Sequence, residues 1–225
     1  MHIMEGFLPP LWAAFWFALA LPVVAYGVHR VRRLVAEDRQ LLPLLAVSGA
    51  FIFVLSSLKL PSVTGSSSHP TGTGAGAVLF GPSVTSVLAT IVLVYQALFL
   101  AHGGFSTLGA NVFSMGIAGP AVGYGVYRCC RGAGIGACPA VFATAVAADL
   151  ATYLVTSAQL ALAFPATTGG VLTSFVTFGG IFALTQVPLA VVEGLVITLV
   201  FRYIIALRGD VLERLDGLRR EAPSP

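Results

Sequence analysis

Apolar residues in this chain come in long unbroken runs, with neither the period of a soluble amphipathic helix nor the alternation of a strand. Runs cover about residues 8–28, 41–58, 75–100, 108–127, 136–164 and 170–206. A helix crossing a bilayer needs roughly 20 such residues, so each run predicts a spanning helix. Pro9 and Pro10 open the first run, where proline suits a first helical turn. Gly81-Pro82 breaks the third, and Pro188 predicts a kink in the last. Between the second and third runs lies a polar Gly/Ser/Thr-rich loop, residues 59–74. The end, 208–225, is charged and then Pro/Ser-terminated, which predicts a solvated tail.

Composition narrows the class. Only 9% of the 225 residues are charged and 57% are hydrophobic, against roughly 25% charged in soluble domains. Mean hydropathy is +0.92. A soluble fold, a disordered chain and a disulfide scaffold are excluded. A net charge of +3 is too small for the dense basic face of a nucleic-acid binder, so no nucleic-acid partner is expected. The long runs disfavour a β-barrel. The expectation is an all-α polytopic membrane protein in the cell inner (plasma) membrane, with one transmembrane domain over 1–207 and a cytoplasmic tail over 208–225.

Arginine sets the orientation. Lys59 is the only lysine, and the eleven arginines form three clusters. These are Arg30, Arg32, Arg33 and Arg39; then Arg128 and Arg131; then Arg202, Arg208, Arg214, Arg219 and Arg220. The positive-inside rule makes all three cytoplasmic. The N-terminus is then outside, the C-terminus inside, and the number of crossings odd. Six runs become seven crossings if 75–81 is a short half-helix followed by a full helix from Pro82. Residues 75–81 rise only about 10 Å, too little to cross alone, so the 59–74 loop must dip to meet the half-helix. Irregular backbone at that depth has to be buried in protein or line a cavity, which makes the loop a candidate site. Ala18-Leu19-Ala20 resembles a cleavage site, but Met1–Gly6 lacks the basic start of a signal peptide, so Met1 is expected to be retained.

The first residues carry candidate chemistry. An amine one residue before His2 can close two chelate rings through the amine, the His2 backbone nitrogen and the imidazole Nδ1. Three nitrogens in a plane suit Ni(II) or Cu(II). Of the other histidines, His69 in the dipping loop is the preferred fourth ligand, and His102 is the runner-up at the outer rim or behind the ligands. His29 falls in an arginine cluster and is expected to be solvated. Asn111 is a candidate hydrogen-bond partner for a ligand histidine, or a helix cap or packing amide. Asp149 and Glu193 interrupt apolar runs and are expected away from the terminus, in helix or partner contacts. Gln96, Gln159 and Gln186 are expected to join helices. Met4 reads as a packing residue. Cys129, Cys130 and Cys138 lie towards the inner side without metal spacing. No P-loop surrounds Lys59 and there is no H-E-x-x-H, so no catalytic residues are assigned and ATP hydrolysis must lie elsewhere. A membrane metalloenzyme would need a general base, and Glu5 alone is near the ligands.

Met1-His2-Ile3-Met4-Glu5-Gly6-Phe7-Leu8-Pro9, the Gly65-Ser66-Ser67-Ser68-His69-Pro70-Thr71-Gly72-Thr73-Gly74 loop and the stretch from Gly103-Gly104-Phe105 through Asn111 to Met115-Gly116 together resemble the CbiM/NikM family. These are substrate-capture (S) components of cobalt and nickel energy-coupling-factor transporters, a branch of the ABC transporters. The resemblance implies seven helices, a six-helix core plus one N-terminal helix. It implies that Met1, His2 and His69 ligate the ion. It also implies a transmembrane coupling (T) subunit, two ATPase subunits and a small CbiN/NikN-type membrane subunit as partners. Cobalt(II) is the first choice of transported ion and nickel(II) the alternative. The ion is substrate, and no further cofactor is expected. An organic-vitamin S component would want a larger aromatic-lined pocket.

Overall fold

The computed structural model describes residues 1–61 and 66–221. Gly65 of the loop motif and the last four residues of the tail lie outside them.

The apolar runs fold as helices: α1 (Pro10–Glu37), α2 (Leu41–Ser57), α3 (Thr73–Phe80), α4 (Pro82–Phe99), α5 (Leu108–Asn111), α6 (Gly119–Gly132), α7 (Ala137–Ala163) and α8 (Gly170–Glu221). Among the described residues, four helical stretches are long and apolar enough to cross a membrane: Pro10–Glu37, Pro82–Phe99, Ala137–Ala163 and Gly170–Val211. Helix α2 is slightly shorter at 17 residues. Large apolar side chains such as Leu11, Leu172, Leu184 and Leu207 point outward. In water such a surface would drive association; in lipid it is the matched surface.

The break at Gly81-Pro82 is where the pattern placed it. Gly81 takes φ +82°, and Pro82 occupies the first turn of α4, where its missing N–H costs nothing. Helix α3 is only 8 residues long and buried along its whole length, enclosed by α4, α6 and α7. It is the half-helix expected from the crossing count, starting two residues earlier.

One run departs from its expectation. Between α5 and α6 the chain widens into a π-helical segment, Val112–Ala118. Pro120 follows directly. It has no N–H for the Gly116 carbonyl, and its ring would press on that carbonyl in α geometry; one wide turn relieves both. Beyond 207 the helix continues to Glu221 after a break at Arg208, with Leu215 buried in the cluster that holds Leu41 at the start of α2.

The glutamines join elements as expected. Gln96 donates to Ser56 (2.8 Å) and Gln159 to the Ala110 carbonyl (3.0 Å). Met4 is exposed rather than packed, because the strand before it turns its neighbour Ile3 inward. His29 is exposed, and the three cysteines are free.

Helix α1 lies along α4 and α5. Gly27 makes the close approach possible, since a Cβ there would collide with the Ser83 carbonyl and the Val87 side chain. Gly27→Ala is therefore expected to push α1 off α4 and cost about 1–3 kcal/mol. Thermal unfolding in detergent checks this; an unchanged midpoint would mean that the contact contributes nothing.

Candidate metal centre

The amino terminus is inside the protein. Met1, His2 and Ile3 are fully buried. Residues His2–Ile3 form strand β1, which pairs antiparallel with β3 (Ser66–Ser68), His2 opposite Ser67 and Ile3 opposite Ser66. Strand β2 (Leu60–Pro61) pairs with the other edge of β3. A side chain completes the open edge of β1. Asn111 accepts from the Ile3 N–H (2.8 Å) and donates to the Ile3 carbonyl (3.0 Å), as a neighbouring strand would. The Thr107 hydroxyl donates to the same carbonyl (2.9 Å). Around this frame Met1 and Ile3 pack with Leu8, Trp16, Leu160 and Phe182. At the rim Ser106 N–H donates to the Glu5 carboxylate (3.1 Å), and the Gly6 N–H to the Ser106 hydroxyl (2.9 Å). The Ser106 side chain, with the Ser106 and Phe105 backbone, holds the Glu5 carboxyl below its usual range.

Three imidazoles meet here. His2 stacks on His69 with ring centroids 4.2 Å apart, and His102 stands edge-on to both, at 4.4 and 4.8 Å. One candidate ligand atom from each falls within 4.8 Å of the others. His69 belongs to a segment, 66–74, that is wholly buried. Ala101 holds φ +45°, an uncommon conformation for a side chain with a Cβ, and turns the end of α4 so that His102 faces inward.

The hydrogen bonds decide which nitrogens are free. His69 Nδ1 lies 2.7 Å from the Pro70 carbonyl, which can only accept. The proton is therefore on Nδ1, and Nε2 carries a lone pair with no partner among the described residues. His2 Nδ1 lies 3.1 Å from His102 Nε2, and Ser67 Oγ lies 2.8 Å from the same nitrogen. Two adjacent nitrogens on one ion at about 2.1 Å are about 3 Å apart, so His2 Nδ1 and His102 Nε2 already have the spacing of neighbouring ligands.

Burial also removes the protons. Desolvation lowers the terminal amine from 8.0 to about 5, although Asp149 and Glu193 pull it upward. Burial, then the neighbouring basic groups, hold His2 well below the usual 6.5, and burial brings His102 to about 3. Burial thus favours the uncharged, donor forms of the amine, His2 and His102, beside the lone pair on His69 Nε2. Such a set suits a divalent transition ion and disfavours Mg(II) and Ca(II), which want oxygen.

The structure thus brings Met1, His2 and His69 together. It adds His102, which the linear pattern placed at the rim, because that pattern carried no information on the turn at Ala101. Asn111 holds the Ile3 backbone rather than a histidine ring. Asp149 and Glu193 correct the expectation that they sit away from the terminus. Glu193 accepts from Thr71 and Gly72 just after His69, and Asp149 accepts from Gln186, which also holds the His69 carbonyl. Both carboxylates lie mid-helix in runs far from residue 1, and only helix packing brings them under the loop.

A helical bundle with outward apolar side chains and a buried nitrogen cluster defines a multi-pass membrane protein with a candidate transition-metal site. Residues 2–211 match the family described as the cobalt uptake substrate-specific transmembrane region, CbiM. The chain is 63% identical over 215 residues to putative cobalt transport protein CbiM 1 of Methanosphaerula palustris, covering 96% of this chain and 93% of that one. It is 60% identical over 221 residues to cobalt transport protein CbiM of Chlorobium limicola, covering 98% and 87%. A crystal structure of a truncated transition metal transporter superposes with a TM-score of 0.76 at 28% identity, covering 92% of this chain and 99% of that one. The chain belongs to the CbiM family, whose members are membrane components of metal transport.

The buried amine makes a pH signature. Since its pKa is about 5 rather than 8.0, the plot of log Kd for Co(II) against pH is expected to steepen by one proton as pH falls through about 5. Titration between pH 4.5 and about 8.5 checks this; steepening already near 8 would mean an amine in water.

Proposed function

We propose that this chain is the substrate-capture subunit of an ATP-driven energy-coupling-factor importer for cobalt(II). The observation that carries the reading is the buried terminus, with His2 gathered against His69 and His102 in one nitrogen cluster. The amine of Met1, the backbone nitrogen and Nδ1 of His2, and Nε2 of His69 are the donors. His102 Nε2, already at neighbouring-ligand distance from His2 Nδ1, offers one nitrogen more. Planar nitrogen ligation favours Ni(II), so the same role for nickel(II) is the second reading. The additional nitrogen and the cobalt transport relatives support cobalt.

The chain crosses the membrane seven times in this reading, with the N-terminus outside. Helix α3 and the dipping loop make one crossing, and α1 is the addition to a six-helix core. Residues 1–207 are the transmembrane domain and 208–225 the cytoplasmic tail. The three arginine clusters support that orientation. Capture happens outside, where a cation meets little fixed positive charge. Release follows reorientation against a T subunit, driven by two ATPase subunits, with a small CbiN/NikN-type subunit beside it. The chain itself is not an enzyme. Ala46, Gly49 and Ala50 line an apolar groove between α2 and α4, a surface suited to close approach by a partner helix.

One extra residue before Met1 has no room in the packed terminus and moves the amine out of reach. Co(II) affinity of the extended protein is expected to fall at least about 100-fold, as when a ligand shell is disrupted. Equal binding would overturn the chelate. Replacing His102 by Ala should weaken Co(II) more than Ni(II), because the planar donors remain; paired titrations of the two ions decide, and an unchanged Co/Ni ratio removes His102 from the ligands.

A further inference from the structure

The two halves of the candidate centre are joined by the β1–β3 pairing, but their side-chain anchors come from different parts of the fold. The His2 half is held by Asn111 and Thr107, through the Ile3 backbone. The His69 half is held by α8. Thr185 Oγ1 meets Ser68 Oγ at 2.8 Å. Gln186 Nε2 donates to the His69 carbonyl (3.0 Å) and to Asp149 Oδ1 (2.6 Å), so both amide hydrogens are used. Glu193, beyond Pro188, accepts from the Thr71 N–H (2.6 Å), the Thr71 hydroxyl (2.9 Å) and the Gly72 N–H (2.8 Å).

This grip depends on local backbone chemistry. Gly72 takes φ +71°, a left-handed conformation that turns two successive N–H groups towards one carboxylate. The same residue caps α3, whose N-terminal partial charge favours an anion there. A Cβ on Gly72 would press on the Ile52 backbone at 3.0 Å. Among the described hydrogen bonds, none joins Asn111 or Thr107 to α8.

We propose that Gln186 and Glu193 are positioning residues for His69, so that α8 carries one half of the metal site and the 107–111 segment carries the other. Holding α8 in place aligns His69 Nε2 with the terminal donors. The proposal rests on the reading of His69 as a ligand.

A mutant cycle on the full-length protein with its native terminus tests it, by Co(II) titration and the visible Co(II) spectrum. Glu193→Gln places an NH2 against backbone donors and breaks the grip. It is expected to weaken Co(II) binding about 10–100-fold and to shift the spectrum towards that of His69→Ala. Combined with His69→Ala it should add nothing; combined with Asn111→Ala, which loosens the other half, it should contribute its full factor. An equal loss in the His69→Ala background would mean general structural damage. No loss in the native background would mean no positioning. Either result overturns the proposal. If His69→Ala alone leaves affinity and spectrum unchanged, the ligand reading fails instead. Ni(II) serves as titrant where Co(II) binding to His69→Ala is too weak to follow. Should Glu193→Gln not fold, Thr71→Val runs the same cycle with the hydroxyl's bond to Glu193 removed, together with the two longer bonds it accepts from Thr73, Thr71→Ser being expected to keep native affinity.

Discussion

The structure depends on burying a chain terminus. An amine and the first backbone groups carry strong donors and acceptors, and a membrane protein's interior has no water to satisfy them. Each such group left unpaired costs about 1–3 kcal/mol. The fold meets this cost on both edges of a two-residue strand. Strand β3 pairs with it on one side, and Asn111 with Thr107 on the other. The apolar cluster of Leu8, Trp16, Leu160 and Phe182 then closes over Met1 and Ile3. What burial does to the terminus is also what makes it useful. An exposed amine is mostly protonated at neutral pH, whereas a desolvated one keeps its lone pair.

The same constraint explains the irregular segments. Helix α3 is short because the loop before it must reach the terminus, and it survives because α4, α6 and α7 enclose it. The buried loop 66–72 satisfies its backbone with a strand ladder and then with side chains from α8. Glu193 is tolerable in an apolar helix because three donors and a helix N-terminus face it. The π segment at Val112–Ala118 begins directly after Asn111, which clamps Ile3, and its wide turn accommodates Pro120.

Much of this was legible in the linear pattern, for reasons that are local. Spanning helices follow from unbroken apolar length. The Gly81-Pro82 break follows from a residue free to take positive φ and one with no N–H. The pairing of His2 with His69 followed from chelate chemistry and from a loop that had to be buried. His102 was harder. Its inward turn depends on Ala101 adopting φ +45°, which nothing in the neighbouring residue types demands. Asn111 was recognisable as important, but its partner was not, because its bonds go to a backbone 108 residues away.

The sequence by itself determined the membrane class, the broken third run, and the nitrogen chemistry of the first two residues, because each rests on composition or on bonds between near neighbours. Only the tertiary structure decided that three histidines share one site, that Asn111 serves as a strand edge, and that Asp149 and Glu193 lie beneath the loop rather than apart from it. Those outcomes depend on which faces of α7 and α8 turn inward. Helices that are apolar all round carry almost no periodic signal for that choice, so it is made by close packing and by the need to pair every buried polar group.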